Sequence, residues 1–262
     1  MSLDTALWFT ASAAEAAVIG ILLYRRVWRT FPFFFLYIVR SFVGDLASAL
    51  VLHRYPSVYM TWYLGETILD SVLLFAVLVE LAWSILRPLR ASLSRLALLP
   101  VSGLILAVGA AVWPFTALPG LAGTALELRY LVQLQQAVSI LQIIFLLALI
   151  ASSQMLSIGW RDRELQLATG LGFFSAANVA AAVLHTHQTS LVQYQHLNQA
   201  IIGAWLCTLL YWAVSLAQKE AVRREFTPQM QRVLLAVAGA ARANRVVLTE
   251  SQSRRPHRHD RH

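Results

Sequence analysis

Six ionisable side chains, Glu15, Arg40, Asp45, Glu66, Asp70 and Glu80, lie inside long apolar stretches of this 262-residue chain. A charge near the centre of a membrane helix costs about 2.5–3.5 kcal/mol on insertion scales, so each of the six needs a partner or a task. At 100° per residue, Glu66, Asp70 and Glu80 fall within an arc of about 80° on one helix, giving it an acidic face at three heights. Such a face points into a bundle. A layer of carboxylates there can take up and release protons or bind a cationic solute; the plainer reading is a packing device built around Arg40. Counting rise per residue puts Arg40 and Glu80 at a similar depth, so Arg40 is expected to pair with Glu80, with Asp45 or Glu15 as second acceptor.

Two further sets carry chemistry. His53, His185, His187 and His196 come from the ends of three different segments on one side, with Glu66, Asn198 and Gln199 near the same level. Three histidines and a carboxylate suffice to coordinate zinc, and an intramembrane metal-dependent hydrolase is the function they would imply. No cofactor is otherwise predicted. Gln135, Ser139 and Gln142 share a helix face at spacings of four and seven, and Asn178 lies near the middle of the next segment. Interhelical bonds of this kind contribute about 0.6 kcal/mol each on average, so they serve as packing glue unless a cavity lies between them.

What must position these groups is a set of seven apolar segments, expected at 4–24, 33–53, 59–86, 96–114, 124–157, 165–185 and 196–217. Their basic residues fall in alternate gaps. Arg25, Arg26 and Arg29 follow the first segment, Arg87, Arg90 and Arg95 the third, Arg161 and Arg163 the fifth, and Lys219, Arg223 and Arg224 the last. The second gap holds only Arg54, the fourth and sixth none. The positive-inside rule then places the N-terminus outside and the C-terminus in the cytoplasm of a plasma (inner) membrane. The first segment is read as a retained helix, because Asp4 precedes it and three arginines follow it, the reverse of a signal peptide.

Composition agrees: 58% of residues are hydrophobic, 13% charged, and the mean hydropathy is +0.61. These values exclude an ordinary soluble domain. The formal charge of +8 is concentrated after residue 216, where ten Lys and Arg face Glu220, Glu225, Glu250 and Asp260. That basicity suits anionic lipid headgroups and not nucleic acid. The expected fold class is all-α, a polytopic membrane bundle over 1–217, followed by a cytoplasmic amphipathic helix in 218–250 and a disordered basic tail over 251–262. The single Cys207 leaves no intrachain disulfide.

A shift of 132 residues aligns Trp28-Arg29 with Trp160-Arg161 and Val51-Leu52-His53 with Val183-Leu184-His185. Segments one to three then overlie five to seven, a 3+1+3 arrangement of parallel repeats. The layout resembles that of small sugar transporters and, more distantly, rhodopsins, although the seventh segment has no lysine for a retinal Schiff base. The first functional expectation is a bundle that binds or transports a small solute through a polar cavity lined by helices 3, 5, 6 and 7. A membrane-embedded subunit or sensor, acting through a membrane-protein partner or as a homo-oligomer, is the second.

Overall fold

The computed structural model describes residues 3–85, 98–116, 126–152, 162–185 and 191–218. Among them the chain is helical throughout, with seven helices: α1 (Leu3–Tyr24), α2 (Pro32–Arg54), α3 (Tyr59–Ile85), α4 (Leu98–Val112), α5 (Leu126–Ser152), α6 (Arg163–His185) and α7 (Leu191–Ala217). Each of the seven is long and apolar enough to cross a membrane, α4 when its 3-10 extension to Thr116 is included. The expected amphipathic segment, the basic tail and His187 lie outside the described residues.

Local signals explain the boundaries. Arg26 adopts a left-handed conformation (φ 56°) just after α1 and stops it. Pro32 opens α2 at a position where no amide donor is needed. Asp162 supplies the first carbonyl of α6, accepting from Gln166 N, and Glu164 sits in its first turn. α7 begins at Leu191, five residues before the apolar run that marks it in the sequence, because its first turns are polar (Gln193, Gln195).

α1, α2, α3, α5, α6 and α7 form a closed ring in that order, α7 returning against α1, while α4 packs outside it on α3 and α5. The ring has a packed end and an open end. The packed end gathers the last turns of α1, α3 and α7 and the first turns of α2 and α6. Val18, Leu22, Phe34, Ile38, Leu81, Leu167, Leu171, Leu209 and Trp212 are fully buried there. Phe34, Trp212 and Trp205 stack edge to face at 4.9 and 5.9 Å. Gly170 makes this possible, since a Cβ at that position would overlap the Trp212 indole. The outer surface is apolar: Leu50, Leu99, Leu104, Phe115, Leu147 and Val214 are each at least 60% exposed, an arrangement water would penalise.

Candidate functional site

The acidic face of α3 divides into two jobs. Glu80, at the packed end, accepts from the backbone N–H of Phe33 and Phe34, 3.0 Å to each. It therefore caps the N-terminus of α2, which has no side-chain cap of its own, and its negative charge meets the positive end of the helix dipole. The expected Arg40–Glu80 pair does not form. Glu80 is level with Phe33, seven residues below Arg40 on α2, about 10 Å at 1.5 Å per residue. Arg40 instead reaches towards the open end.

There Arg40 Nη2 lies 3.2 Å from Glu66 Oε1 and donates to the Glu66 carbonyl at 2.9 Å, and Nη1 is bonded to Asp70 Oδ1. Glu66 Oε2 accepts from Ser48 Oγ at 2.6 Å, and Trp62 Nε1 donates to Ser48 at 2.9 Å. Gly44 lets the Glu66 carboxylate press against the α2 backbone, because a Cβ there would strike it. One cation thus serves two carboxylates. Asp45 makes no ion pair among the described residues.

Behind this cluster lies a cavity of about 160 Å³. Glu66, Asp70, Thr67 and Tyr63 of α3 border it, with Tyr37 of α2, Gln135, Ser139 and Gln142 of α5, and Phe174 and Asn178 of α6. Its volume corresponds to about five waters at 30 Å³ each, or one small solute. Gln142, 3% exposed, accepts from Ser175 Oγ with its carbonyl, while its Nε2 has no partner and is buried. Ser12 Oγ, Glu15 Oε2 and Gln166 Oε1, none of them at the cavity, are buried without a hydrogen-bond partner among the described residues as well. No basic side chain stands among the described lining residues.

Five of the sequence-derived site residues, Glu66, Asp70, Gln135, Gln142 and Asn178, therefore meet around one cavity, and Arg40 adjoins it. Glu15 stands apart. It is fully buried and accepts from Ser41 Oγ at 2.8 Å and Trp205 Nε1 at 3.0 Å, tying α1 to α2 and α7. Among the described lining residues none belongs to α7: Asn198 is exposed and Gln199 is elsewhere, and the helix that contributes is α2, through Tyr37. His53 and His196 are exposed, and among the described residues no group of three potential metal ligands forms.

Several polar residues escaped the sequence reading. Tyr37, Tyr63 and Thr67 carry no charge and are not singled out in the sequence, although the one-turn spacing of Tyr63, Thr67 and Asp70 puts those three on one face of α3. Arg163, counted as a loop charge, lies in the first turn of α6 and is buried. It donates to the carbonyls of Leu216 at 3.0 Å and Gln218 at 3.1 Å, and Arg25 donates to that of Ala217. Two cations so close the C-terminus of α7. Glu164, also buried, accepts from Ser84 Oγ at 2.8 Å and links α6 to α3.

No protein-family model, curated protein or solved structure matches this chain.

Proposed function

We propose that this chain is an integral membrane protein that binds, and carries across the bilayer, a small cationic solute held in the cavity between α2, α3, α5 and α6. The observation that carries the reading is that cavity: two carboxylates and a run of neutral polar side chains around about 160 Å³. A structural bundle gains nothing from such a void, whereas a small solute with a cationic group for Asp70 fills it and meets its polar lining.

Topology supports the same reading. The cavity lies in the half of the bundle away from the arginine-rich gaps, so the positive-inside rule opens it towards the outside. A ring ordered α1-α2-α3-α5-α6-α7 is what two parallel three-helix repeats joined by α4 would produce, and a ligand held between repeats fits an alternating-access carrier.

The test uses methylammonium as probe, with the full-length protein in proteoliposomes. Asp70→Asn keeps volume and one hydrogen bond to Arg40 but removes the charge. It should lower methylammonium binding and uptake at least tenfold while the thermal melt stays near that of the parent. Undiminished methylammonium binding in Asp70→Asn, or none in the folded parent, would sink the reading.

A further inference from the structure

On the α2–α3 side of the ring, a groove of about 620 Å³ runs along the bundle surface. Its walls are Leu36, Val39, Val43 and Ala47 of α2 against Val58 and Leu69, and its floor is Arg40 and Glu66. Leu36, Val43, Val58 and Leu69 are exposed, so the groove opens sideways, where the acyl chains of a bilayer would lie. The two grooves beside α4, of about 600 and 340 Å³, have no charged side chain among their described lining residues.

Glu66 borders both this groove and the internal polar cavity. The Arg40–Glu66–Asp70 cluster is therefore the partition between an apolar channel that faces lipid and a polar chamber that faces the bundle interior. We propose that the ligand of this site is a membrane-dissolved long-chain primary amine, whose ammonium head enters the polar chamber past Arg40 while its alkyl chain stays in the α2–α3 groove.

The proposal rests on the small-cation reading above and specifies its substrate class. Three features support it. First, Arg40 at formal charge +1 faces Glu66 and Asp70, so the partition carries one uncompensated negative charge that an ammonium neutralises and a carboxylate or phosphate head would double. Second, Arg40 has two anchors on Glu66, a carboxylate oxygen and the backbone carbonyl, and one contact on Asp70. It can yield Asp70 to an incoming ammonium and remain tethered. Third, from Gly44, where the Glu66 carboxylate lies against α2, the groove runs back to Leu36, about 12 Å at 1.5 Å per residue, which accommodates most of a dodecyl chain.

Gly65 allows a clean experiment. It lines the groove and not the cavity, and a Cβ at this position meets nothing within 4 Å. Full-length protein in phosphatidylcholine nanodiscs would be titrated with methylammonium, dodecylammonium and dodecanoate. Gly65→Leu should weaken dodecylammonium at least tenfold and leave methylammonium unchanged, whereas Asp70→Asn should weaken both. Dodecanoate should not compete. If Gly65→Leu does not fold, Ala47→Phe fills the groove from the opposite wall and gives the same readout. Unchanged dodecylammonium binding in a folded groove variant, or competition by dodecanoate, would overturn the amphiphile and leave the small-cation reading standing. Loss of neither ligand in Asp70→Asn would overturn both.

Discussion

At the residue scale, what distinguishes the charges within the helices is how firmly each is held. Glu80 is held by two backbone donors, one on each oxygen, and Glu15 by a serine and a tryptophan that both donate to Oε1, Oε2 having no hydrogen-bond partner among the described residues. Arg40, Glu66 and Asp70 share contacts that can be rearranged. Removing Arg40 leaves two partly buried carboxylates without their cation, a loss of about 1–3 kcal/mol, less than for a fully buried pair because Asp70 is partly exposed. Arg40→Leu should accordingly lower the thermal midpoint of the detergent-purified protein, and the double variant Arg40→Leu/Asp70→Asn should recover part of the loss. Recovery by Glu80→Gln instead would restore the partner that depth counting favours. Depth counting missed because it compares Cα levels, while a guanidinium reaches another turn along the bundle. The identity of the charged residues was thus legible in the sequence, but their pairing was not.

At the scale of the helices, the boundaries that apolar runs define were legible to within a few residues, since a segment of about 20 apolar residues has one cheap way to satisfy its backbone in lipid. α2, for instance, was expected at 33–53 and spans Pro32–Arg54. What hydropathy could not register is polar sequence that is helical nonetheless, as in the first turns of α6 and α7, where Arg163 and Gln193 read as loop. The cavity was half legible. Side-chain spacing put Glu66 with Asp70 and Gln135 with Gln142, yet nothing in one chain's periodicity says that α2 rather than α7 completes the wall. Helix contacts also set which glycines tolerate a side chain. Gly170→Ala should destabilise by about 1–3 kcal/mol through overlap with Trp212, while Gly203→Ala, with nothing within 4 Å, should be neutral or slightly stabilising. Parallel thermal melts of the two variants measure the contrast, and equal midpoints would argue against the tight α6–α7 crossing.

At the scale of the whole molecule, a solid half and a hollow half sit end to end. The fully buried large side chains collect at the packed end, together with the Glu80 cap and the two arginines that close α7, whereas the cavity lies towards the other, and the lateral groove runs from Leu36 towards that end. Such a division lets the hollow half rearrange while the packed half holds register. Orientation in the bilayer is testable independently of any ligand. In a Cys207→Ala background, needed because Cys207 is exposed, an impermeant thiol reagent should label a cysteine at position 57 in intact cells but not one at position 92. The reverse pattern would invert the molecule. It would also mean that Arg25 and Arg163, which have bonding duties at the end of α7, count as helix caps more than as topological signals.

The position of α4 outside the ring carries a consequence for biosynthesis. Its packing closes no gap between ring members, because α3 and α5 already touch. What α4 contributes is parity: α3 and α5 stand side by side in the same direction, and only an odd number of intervening crossings returns the chain to the side from which α5 must start. A chain with Ile85 joined directly to Leu126 would retain all six ring sequences and still be unable to build the ring. Its last three helices would have to run upside down, and its two termini would emerge on the same face of the bundle.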